Sequence, residues 1–226
     1  YKMFGYPTGI GCLLVRKSVY HKMIKPWYAG GTITLSSANY DGHFLKNNEE
    51  RFEDGTINYL NIPAVKNGLA FLQSIGTPVI TRRIQCLAEW LIHALSSLIH
   101  YNGEKLVRIF GSTDGNCRGG TIVMNFFNSK GAIIPFWVIE EAANKKNISI
   151  RTGCFCNPGL DETNNQINVT DLQHYFGSRE QGDYFDMIQH TGKIRGSVRV
   201  SLGLVSNFDD VYSFYEFARN FLDTDG

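Results

Sequence analysis

Apolar residues recur along this chain with two different periods. Between Val79 and His100, Ile84, Leu87, Leu91, Leu95 and Leu98 fall at steps of three and four, which aligns them on one face of a long helix. "NFDDVYSFYEFARNFL" repeats that spacing near the end. Val211, Phe214, Ala218 and Phe221 make the expected buried face, and Ser206 with Asp209 resembles a capping box. "NIPAVKNGLAFLQSIG" also predicts a helix, with Pro63 in its first turn and Gly76 just past its end. So do "PFWVIEEAANKKN" and "NVTDLQHYF". "LVRIF", "TIVMNFF", "ISIR" and "GSVRVSLGL" read as strands, and "IGCLLV" suits a buried one. Residues 28–55 are punctuated by "AGG", "SSANYDGH" and "KNNEERFEDG", which predict turns and irregular chain.

Strands alternating with helices imply a layered α/β or α+β fold. The expected boundary lies near Gly76, with residues 1–75 ending one lobe and residues 76–226 forming a compact second one.

Composition narrows the function classes. The 226 residues are 43% hydrophobic and 19% charged, enough for a substantial core. A formal net charge of +1 gives no electrostatic case for nucleic acid or an anionic membrane surface. The most apolar run, "LAEWLIHALSSLIH", is too short to span a bilayer and carries Glu89, His93 and His100. No secretory or transit segment opens the chain, and its start at Tyr1 without methionine suggests a fragment or a processed product. The five cysteines, Cys12, Cys86, Cys117, Cys154 and Cys156, are too few and too odd in number for a secreted disulfide framework. A reducing compartment, the cytoplasm, is expected.

"RTGCFCNPG" raises the chemical question, because it sets two cysteines one residue apart. Zinc needs four ligands, and no second pair stands at a suitable spacing, so no metal is expected. A Cys154–Cys156 disulfide would close a very tight ring. Two readings stay open. Free cysteines are often small buried apolar groups. A thiol on a loop between a strand and turn-forming Asn-Pro-Gly is alternatively exposed, with Arg151 favouring its thiolate.

Several ordered motifs carry a family resemblance: "YKMFGYPTGIG", "RFEDGTI", "SIRTGCFCNPG" and "GSVRVSLGLVSNFDDVYSF". Together they resemble the class V aminotransferase-like family, which includes the cysteine desulfurases. The likeness is greatest to the desulfurase-like domain of molybdenum cofactor sulfurases, and it runs through nearly the whole chain. It implies the C-terminal portion of a fold-type I PLP-dependent transferase. Residues 1–75 would end the large cofactor-binding domain, and residues 76–226 would be the small α+β domain.

The resemblance also implies roles. Lys2 matches the lysine that forms the Schiff base with pyridoxal 5'-phosphate. Gly55 and Thr56 match the segment that reaches the cofactor phosphate of a partner subunit, which implies a homodimer. Arg199 matches the arginine that holds the substrate carboxylate, with Arg151 beside the cysteine loop as a second substrate-side cation. Strand alternation puts Arg199 on the face of Ser197 and Ser201, away from Val198 and Val200. Cys156 aligns with the nucleophile that takes sulfur from L-cysteine as a persulfide and passes it to an acceptor such as the molybdenum cofactor. Cys154 is expected to pack.

Two departures stand beside the likeness. The sulfurases carry another cysteine just after this motif, where this chain has "GLDETN", with Leu160 and Asp161. The family's phosphate loop and ring-stacking residues precede the lysine, so the 226-residue chain alone is expected to bind the cofactor weakly or not at all. The alternatives are another class V activity (aminotransferase, epimerase or carbon–sulfur lyase) or a non-catalytic homologue.

Overall fold

The structure is a computed structural model that describes residues 10–224. It divides into two units, Tyr1–Thr77 and Pro78–Gly226.

The first unit is built around turns. Within residues 28–55, β1 (Ile33–Ser36) pairs antiparallel with β2 (His43–Leu45), Ser36 lying opposite His43. The turn-forming residues supply this hairpin's connection, while its strands are too short to show an alternating pattern. The strand predicted at residues 10–15 does not form, and Leu13 and Leu14 stand 76% and 91% exposed. An apolar run alone does not make a strand; its backbone groups need a neighbouring edge. Helix α1 (Pro63–Ile75) follows, with Pro63 at its start and its end closed by Gly76 N–H on the Leu72 carbonyl at 3.0 Å.

The second unit opens with α2 (Thr77–Ser96) and continues through β3 (Val107–Phe110), β4 (Thr121–Phe127), β5 (Ile133–Ile134) and α3 (Phe136–Lys145). Then come β6 (Arg151–Gly153), α4 (Pro158–Asn164), α5 (Val169–Gly177), α6 (Tyr184–Thr191), β7 (Ser197–Ser201) and α7 (Phe208–Arg219). The strands form one antiparallel sheet in the order β3-β4-β7-β6, with β5 added to the end of β4.

One face of that sheet is the core. Register sets Ile122 opposite Val200 and Met124 opposite Val198. Leu91 and Leu95 of α2, Ile139 and Ala143 of α3, and Val211, Phe214 and Ala218 of α7 pack in the same cluster. Each large apolar side chain so buried contributes about 1.5–3 kcal/mol. The helical stripes predicted for α2 and α7 are therefore the surfaces that lie in the core. Alternation leaves Val123, Asn125, Ser197 and Arg199 on the other face.

Local departures have local causes. The capping box of α7 is Asn207 with Asp210, one residue later than expected, and Ser206 Oγ instead accepts from the Gly203 amide at 3.0 Å. Of "ISIR" only Arg151 enters β6, although Ile148 and Ile150 pack against the core. Helices α4 and α6 are too short for an apolar period to mark them. Among the described residues no helix is long and apolar enough to cross a membrane.

Candidate functional site

The short strand β6 delivers the cysteine loop. It pairs with β7 so that Arg151 faces Arg199, Thr152 faces Val198 and Gly153 faces Ser197. Val123 of β4 flanks Arg199 on its other side. Two guanidinium groups thus share one face as direct cross-strand neighbours, an arrangement that repels unless an anion lies between them. Arg151 is exposed and Arg199 half-buried. Arg199 Nε is buried with no hydrogen-bond partner, and its Cζ lies 5.2 Å from the centre of the Phe155 ring. A buried donor left unpaired is costly, so this face is chemically suited to a carboxylate.

Beyond Gly153 the chain makes a sharp excursion. Phe155 and Cys156 both take left-handed backbone conformations, with φ of +57° and +55°. For side-chain-bearing residues that conformation costs roughly 1–2 kcal/mol each. The excursion closes when Asn157 N–H donates to the Cys154 carbonyl at 2.9 Å. The Asn157 side chain then accepts from Leu160 N–H at 3.1 Å and so caps α4. Within "CFC" the three residues differ. Cys154 is half-buried, Phe155 is half-buried under Arg199, and Cys156 is exposed. All five cysteines are free thiols.

Immediately after the loop a buried polar network begins. Asp161 on α4 is 3% exposed and accepts from Arg195 Nε at 2.7 Å and Nη2 at 2.6 Å. Asn165 Nδ2 donates to the same carboxylate at 2.9 Å, and Asn165 Oδ1 accepts from Asn125 Nδ2 at 2.9 Å. The Gly196 amide also donates to Asp161. This network ties α4 to the residues that lead into β7. Gly196 is required here: its φ is +83°, and a Cβ would come within 2.6 Å of the Tyr184 hydroxyl. Burial pushes the Tyr184 phenol pKa well up, and the neighbouring Asp161 carboxylate adds to the rise.

In the first unit, Gly55 and Thr56 are exposed in the turn of "RFEDGT". Gly55 has φ +74° with open space where a Cβ would stand, so no side chain obstructs a group that comes close to the chain there. Its N–H donates to the Gly30 carbonyl at 2.8 Å. Lys25 braces the same turn, pairing with Asp54 and reaching the Arg51 carbonyl at 3.2 Å. Lys2 lies outside the described residues.

The structure therefore brings Arg151, Arg199 and the cysteine loop together in one unit and sets Gly55 and Thr56 on an exposed turn of the other. Sequence reasoning misses Phe155 and the Asp161–Arg195 pair. Asp161 precedes Arg195 by 34 residues, and no local pattern links them. The only sign is that Asp161 stands where the family resemblance leads one to expect a cysteine.

A family model for aminotransferase class-V matches residues 1–214. The chain belongs to the aminotransferase class-V family. Within that family it is 36% identical over 227 residues to a molybdenum cofactor sulfurase of Solanum lycopersicum, covering 97% of this chain and 27% of that protein. It is 36% identical over 224 residues to a molybdenum cofactor sulfurase of Homo sapiens, covering 96% and 25%. It thus spans about a quarter of the length of these relatives. Among solved structures, the apo cysteine desulfurase of Thermococcus onnurineus NA1 superposes with a TM-score of 0.62 at 20% identity, over 92% of this chain and 42% of that one. The class V chain shares that fold over the part it covers, as the α/β, fold-type I reading expects.

Proposed function

We propose that this chain belongs to a PLP-dependent sulfurtransferase that moves sulfur from L-cysteine onto Cys156 and then to an acceptor, the molybdenum cofactor being the acceptor its relatives' names indicate. The observation that carries this reading is an exposed Cys156 on a strained loop beside a half-buried Arg199 whose Nε lacks a partner. The residues present fit an anionic amino-acid substrate and a phosphate-bearing cofactor. Arg199 offers a planar fork to the substrate carboxylate, with Arg151 adding positive charge at its side. Thr56 offers a hydroxyl, and Gly55 the room for close approach, to the phosphate held in a second copy of the chain, which makes the working state a homodimer. Lys2 supplies the amine that holds the cofactor.

Pyridoxal 5'-phosphate, when bound, supplies an electron sink that weakens the substrate's bond to sulfur. The Cys156 thiolate attacks that sulfur, the carbon–sulfur bond breaks with its electron pair going to carbon, and carbon takes a proton. Alanine leaves and Cys156 carries a persulfide. Loop placement suits a thiol that must meet both substrate and acceptor. Residues 1–75 then complete a larger cofactor-binding domain and residues 76–226 form the small domain. Free cysteines throughout agree with a reducing, cytoplasmic setting.

The test is Cys156→Ser in the protein at its full natural length, supplied with L-cysteine. Persulfide on the protein is expected to disappear while cofactor absorbance stays. Undiminished persulfide in that variant, or undiminished alanine release, sinks the reading in favour of another class V chemistry.

A further inference from the structure

The cysteine loop has fixed ends and, between them, a ring contact to Arg199. At one end Gly153 is paired with Ser197. At the other, Asn157 caps α4, and α4 is locked to the entrance of β7 by Asp161 and Arg195. Both anchors hold backbone that leads to Arg199. Between them, Phe155 and Cys156 sit in left-handed conformations that neither residue type favours. Such a geometry persists only where its surroundings over-determine it. One contact that can do so is the Arg199 guanidinium over the Phe155 ring, within the range of a cation–π interaction.

We propose that Phe155 is a positioning residue: through its ring contact with Arg199 it latches the loop in the conformation that presents Cys156 outward. Resting on the reading of Arg199 as the carboxylate holder, the latch makes one guanidinium serve both substrate and loop. The unpaired Nε fits this dual duty, because the ring takes the guanidinium face and leaves an in-plane donor for an anion.

The experiment is a double-mutant cycle read by amide hydrogen exchange on this chain, following the peptide that contains residues 153–157. Phe155→Ala and Arg199→Gln are each expected to speed exchange there by about threefold to tenfold, the range a cation–π contact supports. The double variant is expected to be no faster than either single one, because both remove the same contact. Phe155→Tyr, which keeps the ring, is expected to restore the parent rate. Exchange in β4 should stay unchanged, which separates a loosened loop from a damaged fold. Rates that multiply in the double variant, or an unchanged loop in Phe155→Ala with β4 intact, overturn the latch. If Phe155→Ala damages the fold, comparing Phe155→Leu with Phe155→Tyr decides the matter instead, since only the latter keeps an aromatic face: equal exchange in those two overturns the latch. The measurement needs neither cofactor nor L-cysteine. Its failure therefore leaves the sulfur-transfer reading standing, and failure of that reading leaves the loop coupling intact.

Discussion

The two units dispose of their apolar side chains in opposite ways. In Pro78–Gly226, helices α2, α3 and α7 lay their stripes on one sheet face, and Leu91, Leu95, Ile122, Met124 and Phe126 are fully sealed. In residues 10–77 no hydrophobic side chain is buried; the buried residues are Lys25 and Thr32. Trp27, Tyr40, Phe44, Leu60 and Phe71 all stand exposed. Helix α1 has apolar residues in plenty, but none of them is buried. The contrast teaches that amphipathic sequence and realised burial are separate things. A helix draws most of its stability from the surface it lies against, and α1 buries no residue here. Such a surface is what the proposed homodimer and a larger cofactor-binding domain would each supply.

The harshest way to break this comparison is to separate the units. Residues 78–226 expressed alone are expected to melt cooperatively, with ordered aromatic signals in near-ultraviolet circular dichroism. Residues 1–77 alone are expected to show no cooperative transition. A sharp melt from the shorter piece would show that its turns and ion pairs suffice without a core.

A gentler probe exchanges one ring in each unit. Phe126 is fully buried and Phe44 is 68% exposed. Phe126→Ala is expected to cost about 3–5 kcal/mol, the usual penalty for a large cavity in a core. Phe44→Ala is expected to stay within about 0.5 kcal/mol. Urea denaturation at constant m reads both. Similar losses at the two positions would mean that Phe44 is covered in solution, as in a dimer whose melting depends on concentration.

The same contrast explains what the sequence can show of this protein. Where a periodic face meets a partner surface, the pattern is easy to read: β4, β7 and α7 lie within their predicted stretches, and α2 begins two residues before its own and ends four short of it. Alternation along β7 correctly separates Val198 and Val200 from Arg199. Where burial is absent, the apolar signal misleads, as at residues 10–15. Short elements such as α4, α6 and the β1–β2 hairpin leave too few residues to show a period. The chemistry is legible as motifs, since "CFCN" and "GSVRVS" carry residue types with few other uses together. Their mutual placement is not. Arg151 and Arg199 meet only through the β6–β7 register, and Asp161 finds Arg195 only once α4 and β7 are side by side.

The mildest effect separates charge from core within the second unit. Helices α5 and α6 bury little, Tyr175 and Met187 being their buried residues. Ion pairs tie down their rims instead. The Lys193 ammonium, and then the Asn168 amide, hold the Asp171 carboxyl below its ordinary range. Arg179, and then the Tyr175 hydroxyl, do the same for Asp186. A carboxyl whose pKa is lower in the folded state adds stability above its unfolded value, about 4, and loses that stability as pH falls through the folded one. The melting temperature should therefore be level from neutral pH down to about 5 and should fall progressively below about 4. Asp186→Asn, which imitates the protonated carboxyl, should lower the neutral plateau slightly and make the acid limb shallower by the same amount, with added salt flattening the limb further because these pairs face solvent. Parent and variant limbs that coincide would mean that acid acts elsewhere in the unit, with the buried Asp161–Arg195 brace the next carboxylate to test.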